Sequence, residues 1–230
     1  WGAPPEFNMG LDGALLEDVD APPTLRFYTW TPAALSLGYF QRFDDVPAAS
    51  DAFVVVRRVT GGGAIHHVNE LTFSITASAK HSLFQGPIPR SYERIHELIA
   101  QALSRFGCDP AMRGDSELSS DISDTGMCFH HSTSLDLAWG GRKGVGSAQR
   151  RRKDRVLHHG SIKLGPSQYD TGVAELEGST DPAELARVIA EVFRESAKIQ
   201  LTAGVPSPSE RESAALLGQK SLDPDFIKRR

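Results

Sequence analysis

Residues 57–74 read RRVTGGGAIHHVNELTFS, a stretch in which three consecutive glycines separate two strand-like segments. Glycine loses more conformational entropy on folding than any other residue, so three in a row indicate a specific structural or binding requirement. Backbone amides without side chains nearby form a concavity suited to an anion, and Arg57 or Arg58 would add a charged partner. A hairpin turn with a glycine bulge is the alternative. We favour ligand binding by the loop at 61–63.

The segments on both sides of this loop have the composition of strands. The stretch 70–77, ELTFSITA, alternates apolar and hydroxyl side chains, which predicts a half-buried strand. Further stretches that are rich in β-branched or aromatic residues, or that are bounded by glycine and proline, also predict strands: 24–30, 34–40, 53–59, 135–139, 142–149 and 155–164.

Helices are predicted where apolar residues recur at helical spacing. One covers 92–106 and ends before Gly107, and another begins at Asp181-Pro182 with Glu184 in the capping-box position. Weaker patterns predict helices over 9–18, capped by Asn8, and over 210–217.

The order of these elements predicts an α+β fold of mixed β-sheets flanked by helices. With no repeat and no composition shift, we expect one domain over 1–230. The polar stretch 109–126 predicts a long mobile loop with neither strand nor helix, and 205–230 a short helical tail.

Composition excludes several classes of function. The chain has 230 residues, 40% of them hydrophobic, and a net charge of -4, so nothing indicates a nucleic-acid or anionic-membrane partner. No stretch has the roughly 20 apolar residues that a membrane-spanning helix needs. The first residues, WGAPPEFNMG, lack a signal-peptide pattern, and two cysteines are too few for a disulfide framework. We therefore expect a cytoplasmic protein.

Cys128 is the candidate nucleophile. It follows the polar loop in GMCFHH, and the nearby His130-His131 pair and a later lysine provide cationic neighbours that raise the thiolate fraction. Cys108 is expected to be a buried apolar residue.

Lys143 lies on a predicted strand among the glycines of GGRKGVGS, at 140–147. Because these glycines leave nothing to compete for its ammonium, we expect Lys143 to be available to a substrate oxygen, with an exposed strand lysine as the alternative. The charged run 150–155, RRRKDR, lacks interleaved aromatic residues, which favours a solvated turn or a docking surface for an acidic protein over nucleic-acid binding.

Three histidine pairs occur, at 66–67, 130–131 and 158–159. Adjacent residues on a strand point to opposite faces, so each pair offers one inward side chain, and we expect one histidine of each pair to face a common pocket. A zinc site is disfavoured because C-x-x-C and H-E-x-x-H spacings are lacking, and we predict no metal.

Several separated motifs together resemble the lipoate- and biotin-protein ligase superfamily. They are RRVTGGGAIHHVNELTFS (57–74), GRKGVGSAQRRRKDRVLHHGSIKL (141–164), NMGLDGALL (8–16) and PTLRFYTWTPAALSLGYFQ (23–41). The resemblance implies an α+β catalytic domain whose glycine loop and lysine strand enclose an acyl chain. The sequence departs from the family pattern at His66, Val68 and Gly144.

Two branches of this superfamily differ in chemistry. Lipoate-protein ligases use ATP and Mg to make an acyl-adenylate, whereas cysteine-type octanoyltransferases need no cofactor. The Glu70-Leu71-Thr72 step, the Cys128-Phe129 pair and the short tail after residue 204 resemble the transferases. An octanoyl amidotransferase between lipoyl domains, or a non-catalytic module that binds an acyl carrier, stays an alternative.

The resemblance implies Cys128 as the acyl-accepting nucleophile and Lys143 as the residue that contacts the acyl carbonyl. It implies a substrate pocket formed by Arg58, Thr60, Gly61, Gly62, Gly63, His67, Gly146, Ser147, Ala148, His159 and Gly160. The implied partners are octanoyl-acyl carrier protein and the lipoyl domains of 2-oxoacid dehydrogenases or glycine cleavage H protein.

Overall fold

The computed structural model describes residues 1–52, 54–176 and 180–229. Phe53 of the strand predicted over 53–59, and Arg230 of the predicted tail, lie outside the described residues. The strands are β1 (Thr24–Tyr28), β2 (Ala34–Leu37), β3 (Val55–Arg57), β4 (Ile65–His67), β5 (Glu70–Ser78), β6 (Ala111–Met112), β7 (Leu137–Trp139), β8 (Arg142–Arg152) and β9 (Arg155–Lys163).

Two sheets organise these strands. The larger has the order β1-β5-β9-β8-β7-β6, and its pairings are antiparallel. The smaller has the order β3-β2-β4, with a parallel β2-β3 pair and an antiparallel β2-β4 pair. The helices are α1 (Pro5–Glu17), α2 (Ala48–Asp51), α3 (Ile88–Ser104), α4 (Pro182–Ser196), α5 (Pro208–Leu222) and α6 (Pro224–Ile227). Mixed sheets flanked by helices confirm the predicted α+β class.

The two faces of the larger sheet are covered by different helices. Phe73 of β5 belongs to the main apolar core, together with Ile99 of α3 and Ile189 of α4. The next residue, Ser74, points to the opposite face, where its hydroxyl donates to Asp12 of α1 at 2.7 Å. The predicted alternation of β5 is therefore present. The prediction that this strand is half-buried is wrong, because residues on both faces of β5 are buried.

Helix α5 packs on α1 through glycines. A Cβ on Gly218 would lie 2.6 Å from the Glu6 carbonyl oxygen, and a Cβ on Gly10 would overlap the Ala214 carbonyl. These contacts bring the backbones of the two helices together and hold the C-terminal segment against the body of the domain. Helix α5 is longer than predicted because Ser207 and Glu210 form a capping box.

Several local predictions need correction. Asn8 does not cap α1, which starts at Pro5; its side-chain amide donates to the Ala3 and Thr29 carbonyls at 3.3 and 3.2 Å. Asp181 caps α4 by accepting from Ala183 N at 3.0 Å, so Glu184 is not needed as its partner. The stretch 109–126 contains strand β6, which pairs with β7, although most of it is neither strand nor helix, as predicted.

Candidate active site

The glycine loop between β3 and β4 contacts the segment that carries Cys128. Ala64 N donates to Gly126 O at 2.9 Å, and Cys128 N donates to Ala64 O at 2.7 Å. A Cβ on Gly63 would lie 2.9 Å from Cys128 N, closer than real Cβ contacts allow. Glycine at position 63 therefore lets the loop support the backbone of the candidate nucleophile directly.

The Lys143 ammonium lies beside the sulfur of Cys128. Its Nζ is 3.6 Å from Cys128 Sγ, 2.8 Å from Cys128 O and 3.1 Å from His131 O. The carboxylate of Asp136 accepts from the same Nζ at 2.9 Å. The expectation that nothing competes for this ammonium is wrong: four acceptors surround its three protons. A substrate oxygen must replace one of them.

Strand β8 approaches this pair through a glycine. A Cβ on Gly146 would lie 2.9 Å from Lys143 Cε and 3.5 Å from Cys128 Sγ. Any side chain at position 146 would therefore displace the lysine. The departure at Gly144 has a different reason, because the Trp139 ring occupies the space that a side chain at position 144 would need.

Lys143 is 1% exposed, and its pKa reflects opposing effects. Burial lowers the pKa of this ammonium, but attraction to Cys128 and Asp136 outweighs burial and raises the pKa above its usual value. Lys143 therefore stays a cation at neutral pH. This fixed positive charge lies 3.6 Å from the sulfur of Cys128, where it attracts negative charge that develops during a reaction.

Cys128 lies at a cavity enclosing about 400 Å³ of space free of protein atoms, part of it open to solvent. The cavity brings together eight predicted pocket residues: Arg58, Gly62, His67, Gly146, Ser147, Ala148, His159 and Gly160. Sequence reasoning missed seven further lining residues: Met9, Tyr28, Trp30, Ser36, Ile65, Thr72 and Ser161. Aromatic and apolar groups among them suit an aliphatic ligand.

The two arginines before the loop bind backbone carbonyls instead of standing free for an anion. Arg57 donates to Gly38 O and Gln41 O, both at 2.6 Å, and to the carbonyls of Phe226 and Ile227. Arg58 donates to Gly61 O at 2.8 Å and Gly63 O at 2.6 Å, which fixes the glycine loop. Burial lowers the pKa of Arg58 to about 10.

A buried carboxylate, Glu70, organises one end of the cavity. Its oxygens accept from His67 Nδ1 at 2.6 Å, Thr72 Oγ1 at 2.7 Å and Lys163 Nζ at 3.0 Å. Burial raises the pKa of Glu70, but His67 and Lys163 outweigh burial and hold it below its usual value. Trp30 stacks on His67 with ring centroids 3.8 Å apart. The Glu70-Leu71-Thr72 step was the sequence signal for this network.

A second carboxylate, Asp12 of α1, supports the predicted pocket residue His159. Asp12 Oδ2 lies 3.1 Å from His159 Nδ1, and the other ring nitrogen lies 2.6 Å from Thr60 Oγ1. Thr60 O in turn accepts from Tyr39 N at 2.7 Å. Thr60 therefore connects the glycine loop to His159. The NMGLDGALL motif contains Asp12, yet spacing alone could not pair it with a residue 147 positions away.

We expected one histidine of each pair to face the pocket. This is correct for His67 and His159 and wrong for the pair His130-His131. His130 contacts Thr125 Oγ1 at 3.1 Å and Thr171 O at 3.0 Å, while the His131 side chain is exposed. Neither is among the residues that line the Cys128 cavity. Within the described residues, no group of three His, Cys, Asp or Glu side chains could hold a metal ion.

Sequence reasoning also missed His96 of α3. Its Nε2 lies 2.7 Å from Ser147 Oγ in the cavity wall, and its Nδ1 contacts Leu135 O, next to Asp136. Burial lowers the pKa of His96, so a neutral ring can donate to the carbonyl and accept from the serine. His96 thus joins the segment that holds Asp136 to strand β8.

The charged run 150–155 does not form one surface. Arg151 donates to Phe84 O at 3.1 Å and Arg155 to Ala21 O at 2.6 Å, so both guanidinium groups serve the fold. Arg150 instead lies over the Tyr39 ring at 4.8 Å, and Arg152 pairs with Glu17 at 2.6 Å. Arg151 lies on the face of β8 opposite Arg150 and Arg152, and Arg155 lies on β9.

Fold and site together define an α+β domain with a cavity beside a cysteine–lysine pair. The chain belongs to the lipoyl protein ligase A/B catalytic domain family, whose model matches residues 4–208. Of the residues that the structure describes, none lies in a helix long and apolar enough to cross a membrane.

Curated relatives are octanoyltransferases named LipM. The protein from Moorella thermoacetica is 39% identical over 167 residues, which cover 70% of this chain and 61% of that protein. The protein from Kyrpidia tusciae is 32% identical over 255 residues, covering 94% of this chain and 92% of that protein. The chain thus spans less than two thirds of the Moorella relative. It spans 60% of the relative from Carboxydothermus hydrogenoformans.

Solved structures of similar fold are lipoate-protein ligases. Lipoate-protein ligase A bound with ATP has a TM-score of 0.80 and 20% identity, covering 99% of this chain and 96% of that one. A bi-partite lipoate protein ligase from Thermoplasma acidophilum has a TM-score of 0.72 and 19% identity, covering 98% and 92%. At this identity, the likeness shows the fold alone.

Proposed function

We propose that the protein is an octanoyltransferase of lipoate biosynthesis that works through an acyl-enzyme on Cys128. The observation that carries the proposal is the sulfur of Cys128 at the cavity, 3.6 Å from the buried Lys143 ammonium. A thiolate beside a fixed cation is a nucleophile suited to acyl transfer. The octanoyltransferase activity of the LipM relatives supports the same reaction.

In the first step, the Cys128 thiolate attacks the carbonyl carbon of an octanoyl thioester carried by acyl carrier protein. The new C–S bond forms as the carbonyl π electrons move to oxygen, and the old C–S bond breaks when they return. The carrier leaves as a thiolate, which takes a proton from solvent. The Lys143 ammonium stabilises the negative charge of the attacking Cys128 sulfur and then, when the substrate oxygen replaces one of its backbone carbonyl partners, that of the oxyanion.

In the second step, the neutral amine of a lipoyl-domain lysine attacks the Cys128 thioester. A C–N bond forms, the C–S bond breaks, and the amine proton goes to solvent or to the departing Cys128 thiolate. An amide replaces a thioester, so the transfer needs no ATP and no metal. The acceptors we propose are lipoyl domains of 2-oxoacid dehydrogenases or glycine cleavage H protein, in the cytoplasm.

An ATP- and Mg-dependent ligase, a lipoyl-domain amidotransferase and a non-catalytic binding module are the competing functions. Acylation of a lipoyl domain is measured by mass spectrometry with octanoyl-acyl carrier protein alone, with octanoate plus ATP and Mg, or with an octanoylated lipoyl domain. The transferase predicts product with the first donor only. Product with only the second donor would establish the ligase, and product with only the third would establish the amidotransferase. If no donor gives product, the non-catalytic binding module is the remaining function.

A further inference from the structure

A second cavity is lined in part by Arg57. It encloses about 700 Å³ of space, part of it open to solvent, between α1, strand β8 and the C-terminal helices. We call it the basic groove and define it by the lining residues Tyr39, Arg150, Arg152, Lys220 and Phe226. Met9 lines both this cavity and the cavity at Cys128.

Positive charge accumulates around two aromatic rings in the basic groove. The guanidinium of Arg229 lies 3.7 Å from the Tyr39 ring centroid, and that of Arg150 lies 4.8 Å from it. The Lys220 ammonium lies 5.6 Å from the centroid of Phe226. Rings that hold three cations this close keep positive charge in a fixed place at the groove.

This charge lacks acidic compensation. Among the described residues that line the groove, Glu17 is the acidic one, and its carboxylate pairs with Arg152 at 2.6 Å. Arg57, which also lines the groove, is 1% exposed and is bound by backbone carbonyls. Carbonyl dipoles satisfy its hydrogen bonds without cancelling its charge. The groove is therefore complementary to an anion.

Strand β8 connects the groove to the nucleophile. Gly146, Ala148 and Arg150 lie on one face of the strand, with Gly146 beside Cys128 Sγ, Ala148 in the cavity wall and Arg150 in the basic groove. Four residues of extended strand separate Gly146 from Arg150, roughly 13 Å at the usual rise. A pantetheine arm is longer than this when extended, so it spans the interval.

We propose that the basic groove binds the phosphodiester of the phosphopantetheine arm of the donor carrier protein while the thioester lies at Cys128. This inference rests on the proposed function, since it assumes a thioester donor. Charge-assisted hydrogen bonds from Arg150, Lys220 and Arg229 to the phosphodiester oxygens would orient the arm along β8. Acidic side chains of the carrier would face the same cations.

The first test measures binding without chemistry. In the Cys128→Ala protein, calorimetry compares 4′-phosphopantetheine with pantetheine, and we expect the phosphorylated compound to bind at least tenfold more tightly. Adding Arg150→Gln and Lys220→Gln must remove this preference. The matched control, Arg194→Gln with Lys80→Gln, removes two exposed cations elsewhere and must retain it. Equal binding of both compounds, or a preference that survives in the groove variant, overturns the proposal.

The second test measures acyl-enzyme formation on Cys128 with three donors. For Arg150→Gln/Lys220→Gln, we expect kcat/KM for octanoyl-carrier protein to fall about tenfold or more and that for S-octanoyl-N-acetylcysteamine, which has no phosphate, to stay unchanged. A loss confined to octanoyl-coenzyme A would assign the groove to that molecule instead. Equal loss with all donors would show a general folding defect, which unfolding midpoints check.

The two proposals fail in distinguishable ways. If no thioester acylates Cys128, the proposed function fails, while the preference for a phosphorylated arm is still measured by calorimetry. If Cys128 is acylated and the phosphate makes no difference to binding or rate, the groove proposal fails and the proposed function stands.

Discussion

Two buried lysines on adjacent strands have nearly the same surroundings and different chemistry. Lys143 of β8 and Lys163 of β9 both lie over the Phe129 ring, with Nζ 5.5 and 4.8 Å from its centroid. Both are at most 1% exposed, and in both the pKa is raised, because attraction to acidic partners outweighs burial. The difference lies in those partners.

Lys163 has two carboxylates, Glu70 at 3.0 Å and Asp170 at 2.8 Å, so its charge is fully compensated. Lys143 has one carboxylate, Asp136, and the sulfur of Cys128 as its second potential anion. A cation with one carboxylate partner stabilises a second negative charge that appears during a reaction. The comparison therefore assigns a role in the reaction to Lys143 and a role in stability to Lys163. A substitution at either lysine tests this assignment.

The largest effect is expected from Lys143→Met. Without the ammonium, octanoyl transfer should fall about a thousandfold, within the range known for charge stabilisation and acid–base groups. Alkylation of Cys128 by iodoacetamide at pH 7 should also slow, because the thiolate loses its cation. Peptide mapping separates Cys128 from Cys108. Unchanged alkylation together with lost transfer would mean that Lys143 does not act on the sulfur.

Lys163→Met should act on stability instead. It removes the ammonium partner of two buried carboxylates, Glu70 and Asp170, and removing one partner of a buried ion pair typically costs about 3–5 kcal/mol of unfolding free energy. Urea titration measures this loss. In the protein that stays folded, alkylation of Cys128 should proceed at the wild-type rate. Slowed alkylation equal to that of Lys143→Met would remove the distinction between the two lysines.

A smaller effect is expected from crowding the nucleophile without touching its charge. Gly63→Ala places a methyl group 2.9 Å from Cys128 N, and a displacement near 1 Å lowers rates about a hundredfold. Gly204→Ala is the matched control, because no atom lies within 4 Å of the added Cβ. Steady-state transfer rates compare the two, and equal rates would show that the loop adapts.

The smallest effect concerns His158, which lies outside the Cys128 site. Burial, with the charges of His96 and His159, holds the pKa of His158 well below 6.5. A depressed pKa gives stability that is present above pH 6.5 and is lost as the pH falls below it. His158→Phe should reduce that loss by about 1.4 kcal/mol per pH unit below pH 6.5. Urea titrations at pH 6.5 and 5.5 measure it, and identical slopes would contradict a neutral buried ring.

Local sequence pattern predicted the elements that depend on neighbours along the chain. Periodicity indicated α3 and the alternation of β5, and the motif resemblance brought together the glycine loop, Cys128 and Lys143. The acidic partners Asp12, Glu70 and Asp136 were not predicted as site residues, since which buried base each meets depends on tertiary packing. Strand alternation divides Arg151 from Arg150 and Arg152, whereas the run 150–155 was interpreted as a solvated turn or a docking surface for an acidic protein.

The central claim is that Cys128 carries the acyl group during transfer. The most direct measurement is intact-protein mass spectrometry after incubation with octanoyl-acyl carrier protein, without ATP and without an acceptor. We predict one octanoyl adduct, mapped to the Cys128 peptide, absent from Cys128→Ala and discharged when a lipoyl domain is added. An unmodified protein that still acylates the lipoyl domain, or transfer retained by Cys128→Ala, would contradict the account.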